Sequence, residues 1–312
     1  MSVINGLQPY VEFLPGVLQV PSRLVCHFGW NNETTQEFIS RNFECLILNG
    51  GAFDLPDLGA KAALLKRLGL ASSSNIKGLG QFKNIEILTV AWLPANGLDL
   101  SVFPRLKELS FEDEKKLEEQ LPRQKNLETL SIDKFSGKDC SEFSKINSLR
   151  SLWLAQGSVR SLRGLEMCPR LESIELAYIR NLSDLAVLGE LRELRSLSLQ
   201  NLPKAMGEIE VNKYPNLEFL YVAECKQLTV SLSGLRCARR LKKLWLNVSS
   251  IDLDWLDIFE LPDIEMVTLC AEENMPDDGS LFSLAEDAGK KLDKILHTGG
   301  RNKRCIQLYF SS

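Results

Sequence analysis

The chain has only two histidines, His27 and His297, among its 312 residues, and this scarcity limits the chemistry that it can support. His27 directly follows Cys26. Because adjacent residues of a strand point to opposite faces, these two side chains cannot form a nucleophile–base pair by themselves. The sequence also lacks a metal-type cluster of cysteine and histidine, a P-loop and a dinucleotide-binding glycine fingerprint. We therefore expect no catalytic residues, no metal and no cofactor.

Long apolar runs and an excess of positive charge are also absent. No run approaches the roughly 18 apolar residues of a membrane span. The formal net charge is −4, whereas binding to nucleic acid or to an anionic membrane needs concentrated Lys and Arg. The N-terminal segment has no basic leader and carries Glu12 in its apolar part, which is untypical of a signal peptide. We expect a soluble, cytoplasmic protein that binds neither nucleic acid nor membrane.

The eight cysteines are scattered, and the sequence does not give them the density of a disulfide framework. Several occupy apolar positions of the repeat described next; Cys26, for example, stands where a leucine is usual. We therefore expect eight free thiols, in keeping with a cytoplasmic location. The three glycosylation sequons, at Asn32, Asn181 and Asn247, then carry no glycan.

A hexapeptide of the form L-x-x-L-x-L recurs along most of the chain, as in Leu149–Leu154. Successive hexads are separated by 20 to 24 residues, and a period of this length with this hexad is typical of leucine-rich repeats. The hexads begin at residues 21, 43, 65, 85, 106, 127, 149, 171, 194, 217, 241 and 264. The register therefore persists through twelve units.

On these hexads the chain resembles the leucine-rich-repeat superfamily over roughly residues 21–310, nearest the short intracellular type of about 22 residues per repeat. The family usually has Asn or Cys at the ninth position of each repeat, where the side chain bonds to neighbouring turns. From the second repeat onward only Cys225 conforms, so the asparagine ladder is degenerate and we expect irregular turns after the strands.

The predicted fold class is α/β: a leucine-rich-repeat solenoid capped at both ends, with a curved parallel sheet of about thirteen strands on its concave side. Short helical, 3₁₀ or irregular segments form the convex side, as Val159, Leu162 and Leu165 suggest by their spacing. The predicted domains are an N-terminal cap at 1–20 with an extended run at Gly16–Val20, about twelve repeats at 21–270, and a C-terminal cap at 271–312. That cap is predicted to be an amphipathic helix from about Ser280 to His297, followed by a strand that starts at Cys305.

Large aromatic side chains occupy several positions that a repeat strand turns away from its core. Trp153, Tyr221, Trp245 and Tyr309 each stand between the last two apolar positions of a hexad, and Phe219 shares a strand face with Tyr221. Trp and Tyr are enriched in interface hot spots. We therefore predict a partner-binding surface that includes these five residues, with Glu175 between Trp153 and Trp245.

Acidic residues concentrate near the middle of the chain. Glu108, Glu112 and Asp133 occupy positions of their hexads that point to the concave side. By contrast, Glu114–Gln120 is a charge run of the kind that usually forms a solvated face. We predict that the three concave carboxylates contact a basic partner.

The resemblance implies a non-enzymatic scaffold, monomeric on its own, that binds one folded protein in its concave face. The specific hypothesis is a bacterial immunity or inhibitor protein that neutralises a toxin, with a basic toxin or enzyme domain as partner. An intracellular adaptor or regulatory subunit, of the ubiquitin-ligase-receptor or phosphatase-regulator type, is the alternative. We favour it less because about 20 residues before the array are too few for a docking domain. An enzyme is the third hypothesis.

Overall fold

The structure is a computed structural model that describes residues 10–14, 23–72, 75–112, 115–247, 251–252, 255–271, 277–298 and 304–311. It divides into two compact units, Met1–Asp133 and Lys134–Ser312, and each is described by itself. The expected extended run at Gly16–Val20 lies outside the described residues. So do four ninth positions of the repeats, at Ser73, Glu114, Ser249 and Glu272.

The first unit is built on a sheet with the strand order β1-β2-β3-β5-β7-β8-β9, and β4 pairs with β6 in a separate two-stranded sheet. The strands are β1 (Tyr10–Leu14), β2 (Arg23–His27), β3 (Cys45–Asn49), β4 (Ala52–Asp54), β5 (Arg67–Leu70), β6 (Asn75–Lys77), β7 (Ile87–Val90), β8 (Glu108–Glu112) and β9 (Thr129–Asp133). Helices α1 (Asn32–Ser40) and α2 (Lys115–Glu118) and 3₁₀ turns at Gly59–Leu64, Leu79–Gln81, Leu100–Val102 and Leu121–Arg123 connect them. The neighbouring main-sheet strands are parallel, except that β1 runs antiparallel to β2.

The second unit repeats this plan. The strands are β10 (Ser151–Ala155), β11 (Ser173–Ala177), β12 (Ser196–Gln200), β13 (Gly207–Glu210), β14 (Phe219–Ala223), β15 (Leu228–Ser231), β16 (Lys243–Asn247), β17 (Ile251–Asp252), β18 (Met266–Ala271), β19 (Leu292–Thr298) and β20 (Arg304–Phe310). Helices α3 (Trp255–Phe259) and α4 (Asp278–Asp287) and 3₁₀ turns at Ser141–Lys145, Leu165–Met167, Ala186–Glu190, Val211–Lys213 and Leu235–Cys237 connect them. The main sheet has the order β10-β11-β12-β14-β16-β18-β20-β19, and β13, β15 and β17 form a second parallel sheet.

Each of the twelve predicted hexads carries a strand, which confirms the solenoid fold class. The fourth and sixth positions of a hexad point inward; Leu197 and Leu199, for example, are completely buried. The chain then returns through a segment that contains a 3₁₀ turn, such as Leu165–Met167. Val159 and Leu162, which precede this turn, and Leu165 within it are also completely buried. Apolar residues from both the strand and the return segment therefore form one core in each unit.

The turns after β9, β10, β11, β12 and β14 share one conformation, so the expectation of irregular turns is wrong for these repeats. After β5 and β7 the turns differ, because the eighth residues Ser72 and Trp92 are not left-handed. In the shared conformation the residue at the eighth position is left-handed in successive repeats, with φ of 53° at Gln156 and 57° at Tyr178. Its N–H donates to the seventh residue of the next repeat, and the N–O distance from Gln156 to Ala177 is 3.0 Å. In four of these repeats a buried residue follows at the ninth position, namely Phe135, Ile179, Leu202 and Cys225, and in the repeat of Gln156 it is Gly157.

These turns satisfy their polar groups without asparagine. A left-handed non-glycine residue costs roughly 1 kcal/mol or more, but here the backbone hydrogen bond and the burial of the next side chain offset that cost. Cys225 still does what the family's ninth residue does, because its thiol donates to the carbonyl oxygens of Ala223 and Leu199 at 3.3 and 3.7 Å. At Phe135, Ile179 and Leu202 a buried apolar side chain therefore takes the place of the asparagine.

The C-terminal segment differs from its predicted form. Helix α4 ends at Asp287, and Gly289 follows with a left-handed φ of 68°. Residues 292–298 form β19 and not the second half of a helix. Strand β20 exists, as predicted from Cys305, but it runs antiparallel to both β18 and β19. The helix prediction failed because the pairing with β20, a long-range contact, outweighs the weak helical periodicity of this segment.

Charged residues of alternating sign occupy the second position of successive repeats. In the first unit they are Glu44, Lys66, Glu86, Lys107 and Glu128, and in the second unit Arg150, Glu172, Arg195, Glu218, Lys242 and Glu265. Lys107 Nζ lies 2.8 Å from Glu86 Oε2. Glu218 contacts both Lys242 Nζ, at 3.1 Å, and Arg195 Nη1, at 3.2 Å. The alternation therefore places a cationic side chain in each neighbouring repeat beside a carboxylate such as that of Glu218.

These ion pairs between neighbouring repeats predict a pH dependence of stability. The hydrogen bond from Lys242 is the main cause that lowers the pKa of Glu218. A carboxyl group whose pKa is lower in the folded state stabilises the fold above its unfolded pKa of about 4.3, and that contribution disappears as the pH falls through the folded pKa. Replacing Glu218→Gln should therefore cost up to about 1 kcal/mol at pH 7, as is usual for exposed ion pairs, and progressively less below about pH 4.

Denaturant titrations of the wild-type chain and the E218Q variant at several pH values measure this difference. Glu193→Gln is the matched control, because Glu193 is exposed and has no ion pair among the described residues. A stability loss in E218Q that does not change with pH would show that the ion pairs of Glu218 do not contribute.

Candidate functional site

The outward face of each main sheet is formed by the third, fifth and seventh positions of the repeats. Registers between neighbouring strands are in phase, so residues at the same position stand side by side, as Leu152 and Ile174 do in the core. The sequence analysis assigns this outward face to the concave side. In the second unit it carries all five of the predicted aromatic residues.

Three of the predicted aromatic residues form a stack on this face. Tyr221 of β14 lies beside Trp245 of β16 in the strand register, and their rings are 4.4 Å apart at an interplanar angle of 15°. Phe219 continues the stack, with its ring centre 6.4 Å from that of Tyr221. The three side chains are half-buried, and burial raises the pKa of the Tyr221 hydroxyl. Each of the three rings therefore keeps part of its surface in contact with solvent.

Trp153 stands apart from this stack. In the strand register the fifth positions follow in the order Trp153, Glu175, Ser198 and Tyr221. Three strand spacings of about 4.8 Å place Trp153 roughly 14 Å from Tyr221. A trough therefore separates the two aromatic groups, and Glu175 is exposed in it.

The floor of the trough is made of small side chains. Ser173 and Ser196 occupy the third positions of β11 and β12, and Ala155 and Ala177 occupy seventh positions and are almost completely buried. Glu175 is the only charged residue among the third, fifth and seventh positions of β10, β11 and β12. Within the described residues it makes no hydrogen bond or ion pair, so its carboxylate is available to a ligand.

Tyr309 lies on the same face but not in the predicted row. Because β20 runs antiparallel to β18, Tyr309 stands opposite Met266, a third-position residue, and Gln307 stands opposite the fifth-position Thr268. Tyr309 is half-buried. The prediction placed it in line with Trp245 because it assumed a parallel strand.

Two of the three predicted acidic residues come together in the first unit. Glu112 and Asp133 are register partners on β8 and β9, whereas Glu108 lies at the other end of β8. Glu108 and Glu112 are exposed. Asp133 is half-buried, and its Oδ1 atom is buried without a hydrogen-bond partner. The carboxylates of Glu112 and Asp133 therefore form a small anionic patch.

The sequence analysis missed a basic group at the other end of the first unit. The third positions of β2, β3 and β5 are Arg23, Cys45 and Arg67, which stand side by side in the register. Comparing third positions between repeats would have found them, because the same hexad arithmetic that aligns the fifth positions aligns these.

One cysteine prediction is wrong. Cys270 and Cys305 are joined by a disulfide bond. They are register partners on the antiparallel strands β18 and β20, so both side chains point to the same face of the sheet. The prediction failed because it placed Cys305 at an inward position of a parallel strand. The cytoplasmic location, which rested partly on eight free thiols, stays a prediction.

The other six cysteines are free: Cys26, Cys45, Cys140, Cys168, Cys225 and Cys237. Burial raises the pKa of Cys26 to about 12 and those of Cys168 and Cys225 to about 11. Such thiols are protonated at neutral pH and therefore unreactive. They act as small apolar core residues, as the sequence analysis expected.

The described part of the chain contains no group of three or more His, Cys, Asp or Glu residues placed to hold a metal ion. Among the same residues no helix is long and apolar enough to cross a membrane. The absence of catalytic activity stays a prediction.

Comparison with known proteins agrees with this architecture. No protein-family model matches the chain, and no curated protein matches it. Among solved structures, an internalin (InlF) from Listeria monocytogenes is similar with a TM-score of 0.52 at 17% identity, over 85% of this chain and 84% of its own. A leucine-rich-repeat protein from Leptospira interrogans gives a TM-score of 0.45 at 15% identity, over 77% of this chain and 75% of its own.

The likeness to the internalin shows the fold, which is that of a leucine-rich-repeat solenoid. The twelve hexads agree with this fold, since each of them carries one strand.

Proposed function

We propose that the chain is a non-enzymatic scaffold that binds a protein partner on the outward face of its second unit. The observation that carries the proposal is the half-buried stack of Phe219, Tyr221 and Trp245, which leaves apolar ring surface in solvent. Contiguous exposed aromatic surface often marks a protein–protein interaction site, and Trp and Tyr are enriched among interface hot spots.

The trough between Trp153 and the aromatic stack indicates what the surface of the partner should look like. Trp153 and Trp245 are four strands apart, or about 19 Å at the usual strand spacing. Glu175 lies between them as an unpaired carboxylate. A partner that fits this face presents two apolar contacts with a cationic side chain between them, because a buried carboxylate needs a partner of opposite charge. Tyr309 extends the same face beyond Met266.

The finer proposal is a bacterial immunity or inhibitor protein that neutralises a toxin. The anionic patch of Glu112 and Asp133, with Glu108 at the other end of β8, favours a basic partner such as a nuclease-like or nucleotide-binding domain. An intracellular adaptor of the ubiquitin-ligase-receptor or phosphatase-regulator type is the alternative. The identity of the bound protein separates the two, because a toxin partner would lose its activity on binding.

The test uses three variants. Each is first used as bait to capture the binding partner, and its affinity for that partner is then measured by titration calorimetry. Trp245→Ala and Trp153→Ala should each weaken binding about thirtyfold or more, because a hot-spot truncation costs at least about 2 kcal/mol. Lys115→Ala, in α2, is the control and should bind as the wild type does. The partner is the protein from the source organism that the wild type and K115A retain and the tryptophan variants lose. Titration calorimetry then gives the affinities.

The tryptophan variants should remain folded. Both rings are only half-buried, so the thermal midpoint should change little. If all three variants bind the partner with equal affinity, the binding surface lies elsewhere. If a tryptophan variant loses binding together with its cooperative unfolding, the loss reflects the fold, and Glu175→Gln provides the substitute test because Glu175 is exposed.

A further inference from the structure

The basic group of the first unit has the geometry of a ligand site. Cys45 is the register partner of Arg23 on one side and of Arg67 on the other, so the three side chains point to the same face. At the usual strand spacing the two arginine backbones are about 10 Å apart. Arginine side chains can therefore converge above the thiol between them. The arginine charges act on the thiol. Burial raises the pKa of the Cys45 thiol, and the positive charges of Arg67 and Arg23 oppose that rise.

Among the side chains that the structure describes, neither guanidinium group has an acceptor. Arg23 Nε is buried and has no hydrogen-bond partner. Arg67 is exposed, and within the described residues no carboxylate holds it. Buried donors in folded proteins nearly always have a partner, so an unsatisfied one needs an explanation. A bound anion would supply the acceptor for both guanidinium groups.

The surroundings would strengthen such binding. The fifth-position neighbours are Val25, which is 8% exposed, and Ile47, which is half-buried, so the floor beside the arginines is apolar. Gly69 lies next in this row, and a Cβ atom there would come within 3.3 Å of Ile47 Cγ1. The glycine therefore keeps the space beside Arg67 open. Charge-assisted hydrogen bonds are stronger beside apolar surface than in open water.

We propose that Arg23 and Arg67, with Cys45 between them, bind a phosphate group. Guanidinium groups bind phosphate through paired hydrogen bonds in a fixed planar geometry. A phosphate carries about −1.5 to −2 charges at pH 7, which matches two cations, whereas one carboxylate would balance only one of them. This site lies in the first unit and does not depend on the aromatic face proposed above.

Cys45 makes the site measurable without knowledge of the natural ligand, because a bound phosphate would cover its thiol. The full-length protein is labelled with iodoacetamide in inorganic phosphate and in sodium chloride of equal ionic strength, and peptide mass spectrometry gives the rate at each cysteine. At ten times the phosphate Kd, labelling of Cys45 should slow about tenfold. Cys237, an exposed free thiol, is the internal control and should label at an unchanged rate.

Arginine variants test the assignment. Arg67→Gln should raise the phosphate Kd about tenfold, because it removes a charge-assisted hydrogen bond, and Arg239→Gln is the matched control. Arg67 is exposed, so R67Q should fold even if R23Q does not. Equal labelling of Cys45 in phosphate and chloride would overturn the proposal. So would protection that persists in R67Q, or protection by acetate as strong as that by phosphate.

Discussion

Replacing Leu197→Ala should lower the free energy of unfolding by about 2 to 5 kcal/mol, because a buried leucine is lost and a cavity remains. Leu197 is completely buried on β12, with Ile174 and Leu220 as its register partners on the two neighbouring strands. Each repeat stabilises its neighbours in a solenoid, so this cavity weakens two interfaces at once. Chemical denaturation of the purified variant measures the loss.

Ser198→Ala is the matched comparison, since Ser198 is the next residue along the same strand and its side chain points outward. It is half-buried between Glu175 and Tyr221 in the register. A surface substitution of this kind usually changes stability by no more than about 0.5 kcal/mol. Equal destabilisation of both variants would mean that the assignment of inner and outer positions is shifted by one residue.

The sequence was sufficient to predict the strands because their signal is local. Burial alternates within each hexad, so Leu197 and Ser198 have opposite environments one residue apart. The return segments were also predictable, since Val159, Leu162 and Leu165 are apolar at a spacing that suits a short turn facing the core. Both signals depend on neighbours within a single repeat, and the repeat occurs twelve times.

The C-terminal segment shows where this reasoning stops. Leu292, Ile295 and Leu296 satisfy a helical spacing, yet they lie in β19, paired with β20. The choice between helix and strand was made by a contact with residues further along the chain. The same reversal moved Tyr309 out of the predicted row and brought Cys305 opposite Cys270. A sequence pattern gives the faces of a strand but not its direction.

The candidate site was predictable in part for the same reason. Fifth positions were compared between repeats, and this comparison found Trp153, Tyr221 and Trp245. The stacking of Phe219, Tyr221 and Trp245 required the parallel register of β14 and β16, which the hexads already implied. The left-handed eighth positions were not predictable, because residues as different as Gln156 and Tyr178 adopt them. There the backbone hydrogen bonds, and not the side chain, decide the conformation.

Removal of the Cys270–Cys305 disulfide bond should lower the free energy of unfolding by about 2 to 4 kcal/mol. The bond joins residues 35 apart in the sequence and ties the antiparallel strands β19 and β20 to β18. Opening it allows the unfolded chain more conformations, which is the usual source of a disulfide's contribution. Denaturant titration of the double variant C270S/C305S measures the loss. The matched control is Cys237→Ser, because Cys237 is an exposed free thiol.

The effect should be concentrated at the C-terminal strands. Without the disulfide bond, β20 is still held by its pairing with β18 and by the contact of Phe310 with Phe259, whose ring centres are 5.8 Å apart. Amide hydrogen exchange in β19 and β20 should therefore accelerate, while exchange in β10 and β11 should not, because solenoid repeats depend mainly on their neighbours.

Thiol counting decides whether the bond is present in the purified protein. Under denaturing, non-reducing conditions a thiol reagent should label the six free cysteines, and after reduction all eight should react. Structural disulfide bonds persist in oxidising compartments, so six reactive thiols would argue against the cytoplasmic location. Eight reactive thiols before reduction would contradict the bond and would leave β20 held by its strand pairing and apolar contacts alone.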